Sequence, residues 1–163
     1  MVRLNKMMNI NRFSIGATAA ITTSMGLIAG LTQGEIAKTG IITGLLVIAI
    51  ADNISDSLGI HIYKESEGAS QQDINLHTYG NFIARLFLVF TFVLIVLLFP
   101  SRLALIVSSI WGLVLLAILS YLIAKIKKTS PLLEIVWHLI VALLVIAGSK
   151  LLGSLVLKTI VHS

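Results

Sequence analysis

Two aspartates inside an apolar stretch are the residues of this sequence whose type and spacing best suit chemistry. Asp52 and Asp56 are four residues apart, so on a helix their carboxylates lie on one face, about one turn from each other. A charge at membrane depth costs at least about 2.5 kcal/mol, so such a pair needs an interior cavity, a cation or protons. Burial and mutual repulsion favour uptake of a first proton, which would let the pair exchange a proton for a metal ion. The pair predicts a cation site in the membrane, and the alternative is two solvated carboxylates near a helix end.

A second polar group follows along the same stretch. His61 and Glu65 repeat the spacing of four residues, and Glu67 lies two residues further on. Imidazole and carboxylate ligands suit manganese, ferrous iron or zinc. We therefore expect His61, Glu65 and Glu67 to form the cytoplasmic approach to the metal site. The alternative is a solvated helix end on which His61 and Glu65 merely contact each other.

Glu134 and His138 show the same spacing near the end of the chain. They could act as a proton relay or as partners of a metal ligand. The other interpretation is that Glu134, which follows Pro131, lies at a helix N-terminus where a negative charge interacts favourably with the helix dipole. The sequence does not decide the role of Lys150.

The composition excludes most soluble classes of protein. Of the 163 residues 57% are hydrophobic and 12% charged, with a mean hydropathy of +1.01, which predicts an integral membrane protein. The absence of cysteine excludes disulfides, thiolate metal sites and cysteine nucleophiles. Basic residues flank apolar runs, which indicates membrane orientation rather than nucleic-acid binding. The sequence has no phosphate-binding glycine loop, nucleophile elbow or metalloprotease helix, so we expect neither an enzyme nor a tightly bound cofactor.

The elements that must position these residues are transmembrane helices. We predict an all-α membrane protein, a single bundle of five helices over residues 13–163, after a basic cytoplasmic N-terminus at residues 1–12. A hydrocarbon core of about 30 Å needs about 20 apolar residues. The spans are predicted at about residues 13–33, 39–63, 82–99, 103–124 and 132–157, with a cytoplasmic loop at 64–80. Arg85 is expected near the end of the third span, with its guanidinium reaching the headgroups. The fourth span is expected to be the plainest lipid-facing helix.

The basic residues predict the orientation of the bundle. Eight of them lie on the side of the N-terminus and three on the other: Arg3, Lys6, Arg12, Lys64, Arg85, Lys125, Lys127 and Lys128 against Lys38, Arg102 and Lys158. This bias predicts a cytoplasmic N-terminus and an external or lumenal C-terminus.

Residues 51–61, with the sequence Ala-Asp-Asn-Ile-Ser-Asp-Ser-Leu-Gly-Ile-His, resemble a motif of vacuolar iron transporter-like proteins. That motif is Ala-x-x-x-Ser-Met-Ala-x-Gly-Glu-Tyr, and Ser55 and Gly59 match it directly. The first span is also similar, since Gly16 and Gly30 enclose the position where the family carries Asp-Gly. The resemblance implies a five-helix homodimer that exports ferrous iron or manganese from the cytosol in exchange for protons, between the two first and second helices. The short chain resembles the prokaryotic branch, which implies the inner (cell) membrane.

The sequence departs from the family at three positions. Ala19 replaces an aspartate, Asp56 a methionine and Ile60 a glutamate. One hypothesis is that Asp52 and Asp56 compensate, which would favour a harder ion, manganese or magnesium. The expected partners are the lipid bilayer, divalent metal ions, protons and a second copy of the chain. The alternative is a membrane scaffold or accessory protein that keeps the fold without transport.

Overall fold

The computed structural model describes the backbone of residues 2–34 and 38–161, and the side chains of residue 14 and of residues 16–33 and 38–159. Within these ranges the chain is helical throughout, apart from short connections. The helices are α1 (Val2–Leu31), α2 (Lys38–Val47), α3 (Asn53–Ser66), α4 (Gln71–Leu98), α5 (Ser101–Lys127) and α6 (Pro131–Val161). A 3-10 turn, Thr32–Gly34, follows α1, and a π turn, Ile48–Asp52, joins α2 to α3. The basic side chains of residues 1–12 lie outside the described residues.

Four helical segments have the length and composition of membrane spans: Lys38–Ser66, Gln71–Leu98, Ser101–Lys127 and Pro131–Thr159. A shorter apolar segment, Gly16–Leu31, belongs to α1. The prediction of an all-helical membrane protein is therefore confirmed in its coarse form. Five spans and the side on which each terminus lies remain predictions.

The α4 helix begins earlier than the hydropathy predicts. The hydroxyl oxygen of Ser70 accepts a hydrogen bond from the backbone N–H of Asp73 at 3.3 Å, which caps the first turn at Gln71. Residues 71–80, predicted as loop, are therefore helical. Residues 64–66 of the same predicted loop form the end of α3. At its other end α4 stops at Leu98, and Pro100, which cannot continue a helix from the preceding residues, immediately precedes α5.

Small residues allow α1 to lie at the centre of the bundle, packed against α4, α5 and α6. A Cβ atom at Gly26 or Gly30 would meet Ser149 of α6 within 3.2 Å. On α6, a Cβ at Gly153 would lie 2.2 Å from the carbonyl oxygen of Gly30. The backbones of α1 and α6 are thus in direct contact. Such close packing at small residues is expected in lipid, where no hydrophobic effect drives helices together. Gly26 and Gly30 thus serve as packing residues of α1.

The expectation that the fourth span is the most lipid-facing helix is wrong. That helix, α5, buries one residue in every four along its length: Ala104, Ser108, Gly112, Leu116, Ser120 and Ala124. In α6, only 6% of the apolar window is buried, against 28% in α5. The reason is position: α5 packs between other helices, whereas α6 lies at the edge of the protomer.

Candidate functional site

The second span places both aspartates beside its buried face. Its buried residues, Ile41, Leu45, Ala49, Asn53 and Ser57, recur every four residues. A regular α-helix would rotate such a series by about 40° per step, whereas a π turn accommodates the extra residue. The π turn ends at Asp52, so Asp52 and Asp56 lie on one edge of this face.

Arg85 of α4 lies between the two aspartates and donates to both. Its Nη1 bonds Oδ2 of Asp56, and its Nη2 bonds Oδ2 of Asp52. The arginine side chain is only 2% exposed, whereas the aspartate side chains are 44% and 42% exposed. The guanidinium is therefore buried against α3 and does not extend outward as predicted, whereas its depth in the membrane remains a prediction. Because α4 starts at Gln71 and ends at Leu98, Arg85 lies at its midpoint.

Three buried polar residues surround the arginine. Asn53 donates to the carbonyl oxygen of Phe82 at 2.9 Å, and Asn81 donates to the hydroxyl of Ser57 at 3.4 Å. These bonds join α3 to α4 on the side of the arginine away from the surface. All three of Asn53, Ser57 and Asn81 are at most 5% exposed.

Gly16 lets α1 cover this cluster. A Cβ atom there would lie 1.7 Å from Oδ1 of Asn81 and 3.1 Å from Cδ of Arg85. No residue larger than glycine fits unless Asn81 moves. The first helix therefore seals the inner side of the arginine, and only the carboxylates reach the surface of the protomer.

The cluster has a net charge of −1 and unused hydrogen-bonding atoms. Two carboxylates and one guanidinium give that charge, and no described residue donates to the second oxygen of either aspartate. Three buried atoms in and around the cluster have no partner among the described residues: Nε of Arg85, which is a donor, and Oδ1 of Asn53 and of Asn81, which are acceptors. The net negative charge and the remaining carboxylate oxygens make this a site able to accept a further cation or a proton.

The three predicted ligands nearer the cytoplasm lie apart from the aspartates. His61 lines an apolar groove of about 510 Å³ between α3 and α4. Glu65 is exposed on the last turn of α3. Along a helix at about 1.5 Å per residue, His61 is about 13 Å from Asp52 and about 8 Å from Asp56. Within the described ranges no three His, Asp or Glu side chains come close enough to hold a metal ion together.

Glu67 already has a partner for each carboxylate oxygen. The hydroxyl of Tyr63 and the ammonium of Lys64 each donate to it at 2.6 Å. These two hydrogen bonds lower the pKa of Glu67 below its ordinary value, and the bond from Lys64 has the larger effect. A metal ion at Glu67 would have to compete with Lys64.

Ala19, the position in α1 at which the resemblance implies an aspartate, does not belong to the cluster of Asp52, Asp56 and Arg85. Ala19 lines a cavity between α1, α5 and α6, together with Glu134 and His138. Asp52 and Asp56 meet Arg85 between α3 and α4. Within one protomer, the hypothesis that Asp56 compensates for the missing carboxylate in the same cavity has no support.

Sequence reasoning missed Arg85, Asn81 and Gly16 as parts of the site. Arg85 and Asn81 are four residues apart, and that spacing could have indicated a polar face pointing inward. No family model matches the chain, and no curated protein sequence matches it.

Proposed function

We propose that this protein is a homodimeric transporter of divalent cations, manganese or ferrous iron, with Asp52 and Asp56 as the ligands and proton acceptors. The observation that carries the proposal is the cluster of these two carboxylates with Arg85, which leaves one negative charge within a membrane span. Ionisable groups at that depth are costly and mark ion and proton pathways. Each carboxylate has one oxygen to which no described residue donates, and each faces the surface of the protomer, where a cation can reach it.

In this proposal Arg85 is a tethered cation that holds the carboxylates together while no metal ion is bound. Arginine does not lose its proton in proteins, so it cannot leave the site by neutralisation. An incoming cation must share the carboxylates with the guanidinium or displace it. Arg85 thus keeps the empty site stable in lipid and competes with weakly bound ions.

A second copy of the chain fits the exposed side of the cluster. Beside the aspartates, the π turn and α3 present exposed small residues at intervals of four: Ala51, Ser55 and Gly59. A Cβ at Gly59 would meet nothing within 4 Å, so another helix can approach closely there. Two protomers joined at this face would carry a total charge of −2 at their clusters, which one divalent cation balances.

The proposal keeps the cytoplasmic N-terminus and the export of metal from the cytosol across a prokaryotic inner membrane. His61, Glu65 and Glu67 lie toward the C-terminal end of α3 and would form the cytoplasmic approach. With that topology, protons would enter as the metal ion leaves. The basic residues and the motif resemblance support this direction.

The test is uptake of Mn²⁺ and Fe²⁺ into proteoliposomes, with and without a pH gradient. The double variant Asp52→Asn, Asp56→Asn should lose gradient-driven uptake. Because it leaves the buried Arg85 without a counter-charge, the triple variant that adds Arg85→Met is tested beside it and should lose uptake as well. Ser55→Ala is the matched control, because it changes an exposed residue between the two aspartates and should keep the wild-type rate. Uptake by the double variant at the wild-type rate would exclude the aspartates as the transport site.

The second candidate is a membrane scaffold or accessory protein without transport. It is favoured by the occupation of one oxygen of each aspartate by Arg85, together with the lack of a three-ligand group among the described side chains. An ion pair of this kind can hold α3 against α4 without any cargo. Folded wild-type protein that moves neither ion under any gradient would establish this alternative.

A further inference from the structure

A polar cavity of about 460 Å³ lies between α1, α5 and α6. The transport site proposed above does not include it. Its polar wall contains Thr18 and Thr22 from α1 and Glu134 and His138 from α6, all of them half-buried. Lys127 of α5 borders it with an exposed side chain.

The hydroxyl hydrogens of Thr18 and Thr22, on the α1 side of this cavity, are both committed to the backbone. Thr18 donates to the carbonyl oxygen of Ser14 at 2.8 Å, and Thr22 donates to that of Thr18 at 2.8 Å. A hydroxyl group has one hydrogen and two lone pairs. Each threonine therefore offers the cavity only acceptor lone pairs.

The tautomer of His138 follows from its partners. Its Nδ1 lies 2.8 Å from the carbonyl oxygen of Glu134 and 3.0 Å from the hydroxyl of Ser120. The carbonyl can only accept, and the hydroxyl hydrogen of Ser120 is used on the carbonyl of Leu116 at 2.6 Å. Nδ1 therefore carries the proton, and in the neutral ring Nε2 is a lone-pair acceptor. No described residue donates to Nε2.

The cavity thus combines acceptors with a carboxylate. Glu134 accepts one long hydrogen bond, from the hydroxyl of Thr129 at 3.4 Å. A helix N-terminus explains why an acidic residue suits the first turn of α6. The helix dipole does not explain why the proton of His138 is held on Nδ1, which leaves Nε2 as an acceptor. It also does not explain why the hydroxyls of Thr18 and Thr22 have no hydrogen left to donate to the cavity. The acceptors and the negative charge of Glu134 together favour a positively charged ligand.

We propose that this cavity is a second cation site, which binds a divalent transition-metal ion through Nε2 of His138 and the carboxylate of Glu134. Imidazole nitrogen and carboxylate oxygen are the donors preferred by manganese, ferrous iron and zinc. Metal-binding histidines almost always donate their other N–H to a carbonyl or carboxylate, as Nδ1 of His138 does to the backbone carbonyl oxygen of Glu134. The oxygens of Thr18 and Thr22 and water complete the coordination. Lys127, at the edge of the cavity, weakens binding by repulsion.

The test is a titration of the full chain in detergent with Co²⁺ alone, followed by calorimetry and by the visible absorption of the bound ion. It is carried out in the Asp52→Asn, Asp56→Asn, Arg85→Met background, which removes the first site without leaving a buried arginine unpaired. His138→Asn places an amide N–H near the position of Nδ1, keeps the bond to the backbone and removes Nε2. Glu134→Gln removes the carboxylate charge and keeps the size of the side chain.

We expect one Co²⁺ per protomer in this background, with affinity lowered at least about tenfold by His138→Asn and by Glu134→Gln. Lys127→Gln should raise the affinity about two- to fivefold, since it removes a like charge at a partly exposed site. Unchanged binding in Glu134→Gln, or in a folded His138→Asn, would overturn the proposal. If His138→Asn does not fold, the opposite effects of Glu134→Gln and Lys127→Gln decide it. Because the first site is absent, the result does not depend on whether the aspartates transport metal.

Discussion

Replacing Arg85 by methionine should destabilise the protein more than any other single loss of a basic side chain described here. The change keeps a long side chain but leaves Asp52 and Asp56 without their shared counter-charge. Removal of one partner from a buried ion pair costs about 3–5 kcal/mol. Because the aspartate side chains are 44% and 42% exposed, we expect the lower end, about 3 kcal/mol. For a chain of this length that corresponds to a fall in Tm of about 6–12 °C.

The assay is thermal unfolding in lipid nanodiscs, followed by the fluorescence of Trp111 and Trp137. Arg102→Met is the matched control, because Arg102 is exposed near the start of α5, and it should change Tm little. Combining Arg85→Met with asparagine at both aspartates removes all three charges and should restore most of the loss. Arg85→Lys should be more stable than Arg85→Met but less stable than wild type, since a single ammonium cannot reproduce the two hydrogen bonds of the planar guanidinium.

Metal binding provides a second readout of the same variant. If Arg85 is a tethered cation, Mn²⁺ should stabilise Arg85→Met more than wild type, because the ion replaces the missing charge. The reasoning would be refuted if Arg85→Met unfolded at the same temperature as Arg102→Met. It would also be refuted if removal of both carboxylates from Arg85→Met gave no recovery.

Two further predictions concern packing and pH. Gly153→Ala should lower the free energy of unfolding by about 1–3 kcal/mol, because its Cβ would collide with the backbone oxygen of Gly30. Gly148→Ala is the control, since a Cβ there meets nothing within 4 Å, and it should be neutral or slightly stabilising. Thermal unfolding measures both. Lys64→Ala should raise the pKa of Glu67 toward its ordinary value of 4.5, as followed by NMR titration of labelled glutamate carboxyls. Since the pKa of Glu67 is lowered on folding, its contribution to stability is present above pH 4.5 and disappears as the pH falls through the folded-state value.

The sequence was sufficient to predict that the chain is helical and that the two aspartates share a helix face. Long apolar runs have few alternatives to a helix in lipid, because every backbone group must find a partner within its own segment. A separation of four residues places two side chains on one helix face, and both aspartates indeed bond the same guanidinium.

The position of Arg85 was not predictable from hydropathy because hydropathy does not detect helix caps. An apolar window begins the third span near Phe82, which places Arg85 at its end. The capping hydrogen bond of Ser70 starts the helix at Gln71 and moves Arg85 to the middle. Its partners depend on how α3 packs along α4, and its cover depends on Gly16. Such contacts between distant parts of the chain have no local signature.

The measurement that tests the central claim most directly records Mn²⁺ uptake and internal pH together in the same proteoliposomes. With wild-type protein, we expect inward Mn²⁺ movement to be accompanied by outward proton movement. With Asp52→Asn, Asp56→Asn, both should disappear. The account would be contradicted by Mn²⁺ uptake that moves no protons in wild type, or by coupled uptake that persists without the two carboxylates.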